Sequence, residues 1–173
     1  MKGTIGVESV PHTGSSFWFL LPFQRVTRAE LPREAARLDA VNAPSLIETT
    51  ARILLVEDND INTRLAVAQF KKLGLTVSVA TNGKHAVEAV QREHFDLVFM
   101  DCHMPEMDGF AATKEIRRLE AGTLRRVPIV AMTADARQGD QECCLSFGMD
   151  DYLSKPTSLA TLRPVLDRWL PIA

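Results

Sequence analysis

From Ala51 onward, short apolar runs alternate with stretches of helical periodicity, and no other feature constrains the fold as much. Five runs read as strands: ILLV (53–56), TVSVA (76–80), DLVFM (96–100), VPIVAM (127–132) and DYLS (151–154). Three of them are apolar without alternation, as expected of strands in a parallel sheet covered by helices on both faces. In the first helical stretch Ile61, Leu65 and Ala68 share a face, and Gly74 is a natural stop. In the last, Leu159, Leu162, Leu166 and Trp169 line one side. Pro164 falls within that stretch, where it costs a backbone hydrogen bond or forces a kink or a late start. Strict βα alternation predicts a doubly wound α/β domain over 51–171 with a five-stranded parallel sheet.

The first fifty residues have a different texture. Residues 1–23 carry TIGVES, a Gly/Ser turn and then SSFWFLLPF, which reads as a β-hairpin. Residues 24–50 are rich in Ala, Arg and Glu with scattered Pro, and read as a linker with one short helix from Arg33 to Leu38.

In an open α/β sheet, ligands bind at the carboxyl ends of the strands. The first strand ends in Glu57-Asp58-Asn59, the third runs into Asp101, the fourth ends in Thr133-Ala134, and Lys155-Pro156 follows the fifth. Carboxylates gathered at one edge repel one another, and a hard divalent cation such as Mg²⁺ offsets that repulsion. A lysine and a threonine hydroxyl beside them supply donors for an anion. A cation and donors around one carboxylate equip a site for phosphoryl transfer, with that carboxylate as nucleophile. Asp101 is the expected reacting group. One of Asp58, Asn59 and Asp60 is expected to cap the first helix, and Asp108 to open the turn before a later one.

Composition narrows the alternatives. With 20 basic and 22 acidic residues, the chain has a formal charge of -2, which argues against a nucleic-acid surface spread over the whole molecule. No apolar run approaches the roughly 20 residues that cross a bilayer. The N-terminus lacks the apolar core of a secretion signal, which makes the cytoplasm the expected compartment. Cys102, Cys143 and Cys144 fit neither a disulfide framework nor a CxxC metal pattern and read as reduced thiols.

Taken together, LLVEDN, LVFMDCHMPEMDG, PIVAMTA and YLSKP resemble, in order and spacing, the receiver domain of two-component response regulators, over residues 52–170. The resemblance implies a flavodoxin-like receiver in a phosphorelay, with Asp101 taking a phosphoryl group from a phosphohistidine. It implies Mg²⁺ held by Asp58, Asp101 and the backbone carbonyl of His103, with Glu57 acting through water. Thr133 would bond one phosphoryl oxygen and Lys155 another, across a cis Lys155–Pro156 peptide. Thr133 and Tyr152 would be the switch pair, and His103 and Asp135 would tune phosphoryl lifetime. The implied partners are a histidine kinase or a histidine phosphotransfer protein, with neither nucleic acid nor membrane.

MKGTIGVESVPHTGSSFWFLLPF resembles the last two strands of a histidine-kinase ATP-binding domain, with His12 where one glycine of the pattern stands. No phosphoacceptor-histidine helix or nucleotide motif accompanies it, so the chain reads as the C-terminal piece of a hybrid histidine kinase. It is expected to catalyse only its own aspartyl phosphorylation and dephosphorylation. Rival readings fare worse. A phosphatase of the haloacid dehalogenase type needs a second Asp two residues after the nucleophile as general acid, and position 103 is His. A flavodoxin-like cofactor binder needs a phosphate-cradling loop where this chain has the acidic EDNDIN. A degenerate, inert receiver would lack motif residues that are all present.

Overall fold

A computed structural model describes residues 3–11, 14–22, 47, 50–134 and 138–170, with only the backbone of 138–141. The chain divides into two compact units, Met1–Ala43 and Pro44–Ala173. The expected helix at 33–38, the linker around it apart from residues 47 and 50, and Asp135 lie outside the described residues.

The first unit holds strands β1 (Thr4–Val10) and β2 (Gly14–Leu20), paired antiparallel from Thr4↔Leu20 to Val10↔Gly14. This is the expected hairpin. Its large apolar side chains, Ile5, Val7, Phe17, Phe19 and Leu20, are all exposed.

The second unit runs β3 (Ile53–Val56), α1 (Asp60–Lys72), β4 (Val77–Ala80), α2 (Gly83–Arg92), β5 (Leu97–Asp101), α3 (Gly109–Glu120), β6 (Ile129–Thr133), α4 (Gln138–Ser146), β7 (Asp151–Ser154) and α5 (Leu159–Trp169). The strands are all parallel in the order β4-β3-β5-β6-β7, the doubly wound arrangement expected. Alternate strand residues feed two cores. Leu54, Val56, Val98, Met100 and Ala131 pack under Ala86 of α2 and Ala112 and Ile116 of α3. Ile53, Leu55, Leu97, Phe99 and Val130 pack under Phe70 of α1 and Leu162 and Leu166 of α5. Ile47 joins the second core, and its N–H donates to Leu73 O at 2.8 Å.

Strand limits shift where backbone chemistry dictates. β6 begins at Ile129, after Pro128, which has no N–H to donate. β5 extends to include Asp101 as its last residue, instead of stopping at Met100.

The face that Ile61, Leu65 and Ala68 share on α1 is the outer one. Ile61 and Leu65 are exposed, as is Ala68, while Ala66 and Phe70 turn inward. The outer stripe of α1 is apolar as well as the buried one. Asn59 caps the helix, accepting from the N–H groups of Ile61 and Asn62. Gly74 ends it at φ 81°, with Gly74 N–H on Lys71 O and Leu75 N–H on Phe70 O. That pairing satisfies two of the orphan carbonyls and needs a left-handed residue that glycine supplies without strain.

α5 starts behind a Ser158–Thr161 capping box and continues through Pro164. Pro164 and Ala160 are exposed, so the carbonyl left without a donor lies on the solvent side of the helix.

Candidate functional site

Five of the expected site residues stand at adjoining strand ends. Glu57 and Asp58 follow β3, Asp101 closes β5, Thr133 closes β6, and Lys155 follows β7. These are neighbouring strands of a parallel sheet, so their carboxyl ends open on a single edge. Glu57 and Asp101 are buried and Asp58 is exposed. Carboxylate oxygens of all three lie within 4.8 Å of one another.

The Lys155 ammonium ties two of them, at 2.6 Å from Asp101 Oδ2 and 2.6 Å from Glu57 Oε2. Asn62 Nδ2 donates to the other Glu57 oxygen at 2.8 Å. His103 N–H donates to Asp101 Oδ1 at 3.2 Å. Burial pulls the Lys155 ammonium down, but its hydrogen bonds to Asp101 and Glu57 outweigh that and hold its pKa above the ordinary lysine value. Three carboxylates facing one ammonium leave a formal excess of two negative charges. Hard oxygen donors with that excess fit a divalent cation of the Mg²⁺ class.

Thr133 is buried beside Asp101: β5 and β6 pair Asp101 with Met132, and Cys102 N–H donates to Met132 O at 3.1 Å. Lys155 N–H donates to Thr133 O at 2.7 Å, which fixes the lysine backbone to the end of β6. The Lys155–Pro156 peptide is cis, as expected. Tyr152 is half-buried against the core that holds Ala131 and Ile129. The exposed His103 ring meets the edge of Phe110, with centroids 6.0 Å apart. Asp108 caps α3, accepting from Ala111 N–H at 2.7 Å, as expected.

Two features escaped the sequence reading. A Cβ placed on Gly109 would sit 2.1 Å from the Asp101 carbonyl oxygen, so the start of α3 is pressed against the end of β5. Gly109 N–H also donates to Cys102 O at 3.1 Å. The Asp-Gly pair in PEMDG carried that signal, a cap followed by a residue with no side chain. The second feature is at the opposite end of the sheet. Arg117 donates there to Gly148 O, Val127 O and Asp150 Oδ2. A cleft of about 510 Å³ also opens at that end, between Val90–Asp96 and Leu124–Pro128, and contains none of the three acids. A cavity of about 30 Å³ touches Glu57, Asn62 and Lys155, space for about one water molecule.

The response regulator receiver domain model matches residues 53–167. The receiver domain of sensor histidine kinase PA1611 from Pseudomonas aeruginosa PAO1, solved with magnesium in its active-site cleft, is 47% identical. It superposes with a TM-score of 0.63 over 70% of this chain and 98% of that one. The Saccharomyces cerevisiae Ssk1 receiver, co-crystallised with the histidine phosphotransfer protein Ypd1, is 34% identical with a TM-score of 0.63, covering 73% of this chain and 89% of that one. Hybrid signal transduction histidine kinase K of Dictyostelium discoideum is 34% identical over 96% of this chain. The chain spans 14% of that relative's length. No helix among the described residues is long and apolar enough to cross a membrane.

Proposed function

This chain belongs to the response regulator receiver domain family, and we propose that it works in a phosphorelay with Asp101 as phosphoacceptor. One observation carries the reading: Lys155 Nζ lies 2.6 Å from a carboxylate that ends a central strand and shares a pocket with two further acids.

Asp101 Oδ1 or Oδ2 attacks the phosphorus of a phosphohistidine. The P–N bond breaks, its electron pair stays on the imidazole, and an acyl phosphate forms. Lys155 then follows the negative charge from the carboxylate to a phosphoryl oxygen, and the Thr133 hydroxyl takes another. Asp58, Asp101 and the His103 carbonyl would hold Mg²⁺, with Glu57 reaching it through water; the ion screens charge on the transferring group. Movement of Thr133 toward the phosphoryl group gives Tyr152 room to turn inward, which couples a local charge change to the β6–β7 surface.

The donor is a histidine kinase or a histidine phosphotransfer protein, and the reaction belongs in the cytoplasm. The exposed stripe of Ile61, Leu65 and Ala68 beside the acid pocket supports docking of a partner there. The pairing of Ssk1 with Ypd1 supports the same class of partner. The hairpin, with its exposed apolar side chains, fits the last two strands of a kinase ATP-binding domain, so that 1–23, 24–50 and 51–171 are remnant, linker and receiver. A hybrid kinase matching 96% of the chain supports that division. The chain then performs only its own aspartyl phosphorylation and dephosphorylation.

The test is Asp101→Asn. It should fold and fail to take label from a phosphohistidine donor, while the wild type labels in a Mg²⁺-dependent way. Labelling of the variant at the wild-type level would end the assignment.

A further inference from the structure

The sulfur atoms of Cys102 and Cys144 lie 3.9 Å apart, although 42 residues separate them. Cys102 is the residue after Asp101, and Cys144 is in the last turn of α4. A disulfide needs the sulfurs about 2 Å closer. Both thiols are about 1% exposed, so neither meets an oxidant while α4 is seated.

The seat of α4 is shallow. Of the side chains described on it, Glu142, Cys143, Leu145 and Ser146 are exposed, and Cys144 alone enters the core. Among the side chains described on α4 a single small one enters the core, and a helix packed that sparsely opens at lower cost than a core helix. Opening exposes Cys144, and closing returns it to Cys102.

We propose that Cys102 and Cys144 are a reversible redox site, closed by a hydroperoxide, that clamps α4 to the end of β5. In the opened state the Cys144 sulfur attacks the O–O bond. It becomes a sulfenic acid, and with hydrogen peroxide as the oxidant one water leaves. On reclosure the Cys102 sulfur attacks the sulfenic sulfur, the S–S bond forms and a second water leaves. Two thiols lose two electrons and two protons, and the peroxide takes both. A dithiol reverses the bond by exchange. The cross-link itself does not require Asp101 to be a phosphoacceptor. Its consequence does rest on that reading: the bond ties α4 to the residue after Asp101, so it opposes any displacement of α4 that phosphorylation brings.

The experiment uses the full chain carrying Cys143→Ser, which removes the exposed thiol. The folded protein is treated with hydrogen peroxide, quenched, denatured, alkylated, digested and mapped by mass spectrometry. The expected product is one peptide pair joining Cys102 to Cys144, two hydrogens lighter and restored by dithiothreitol. Cys102→Ala in the same background should lose the pair. The proposal is overturned if both thiols remain alkylatable, if Cys144 proceeds to sulfinic acid without the pair, or if the pair forms only in urea. Adding Asp101→Asn separates the two readings, because the cross-link should persist there whether or not Asp101 accepts phosphate.

Discussion

The Lys155 ammonium holds Asp101 Oδ2 at 2.6 Å, and the same nitrogen holds Glu57 at an equal distance. One cation therefore compensates two buried carboxylates from different strands. Lys155→Ala should leave both with less compensation and lower stability in chelator by about 3–5 kcal/mol, the range for breaking a buried ion pair. Added Mg²⁺ should restore most of it, since the acids that fit the ion remain. Phosphorylation of the variant should not change partner affinity. Thermal unfolding with and without Mg²⁺ checks the first part. A normal affinity shift on phosphorylation would refute the second.

The same contact has an alkaline signature. Burial lowers the Lys155 pKa, but its hydrogen bonds to Asp101 and Glu57 outweigh burial, and the folded value is raised. A raised folded pKa gives stability that is fully present below the unfolded value, about 10.4. That stability is lost as pH rises through the folded value. Denaturant melts in chelator should show the wild type losing stability faster than Lys155→Met above about pH 10.4. Parallel curves for the two proteins would contradict this.

Gly109 leaves no room for a side chain. With Asp101 O 2.1 Å from where a Cβ would stand, Gly109→Ala must push α3 away from β5 or move the end of β5. Overpacking of this kind costs about 1–3 kcal/mol. Because the strained neighbour is the Asp101 backbone, the rate of labelling at Asp101 should fall as well. Equal stability and labelling in the variant would show that the contact relaxes freely.

The sheet and the acid edge were legible because both follow from short-range rules. Apolar runs without alternation mark strands covered on both faces, and their order sends Glu57, Asp101 and Lys155 to one edge. Asp108 and Asn59 were legible as caps because capping depends on residues within one turn. The buried face of α1 was not legible. Ile61, Leu65 and Ala68 satisfy the helical period as well as Ala66 and Phe70 do, and periodicity cannot tell which of two apolar stripes meets the sheet. Nor could the pairing of Cys102 with Cys144 be read, since it depends on how α4 crosses the end of β5.

The two stripes of α1 should separate in experiment. Phe70 is 1% exposed and packs on Phe99 with ring centroids 5.2 Å apart. Phe70→Ala should cost about 3–5 kcal/mol. Leu65→Asp on the outer stripe should change stability by no more than about 0.5 kcal/mol. It should slow phosphoryl transfer from a histidine phosphotransfer protein while leaving labelling by acetyl phosphate unchanged. Slowing of both reactions alike would point to a damaged site and not to a docking face.

Far from the acids, Arg117 joins three segments that share no regular pairing. Its guanidinium donates to Gly148 O and Val127 O at 2.9 Å each, and to Asp150 Oδ2 at 2.6 Å. It also pairs with Glu120. Asp150 in turn accepts from Ile129 N–H at 2.8 Å, so the arginine anchors the start of β6 and the turn into β7. Arg117 and both its acidic partners are mostly buried. Arg117→Ala takes one partner from each carboxylate, though Asp150 keeps Arg126 and Ile129 N–H and Glu120 keeps Val127 N–H, and it should cost about 1–3 kcal/mol. Lysine offers a single ammonium in place of a planar fork and reaches only some of these acceptors. Arg117→Lys should therefore recover only part of the loss, as read by denaturant unfolding. Full recovery by lysine would mean that charge alone, and not the fork, holds the base of the sheet together.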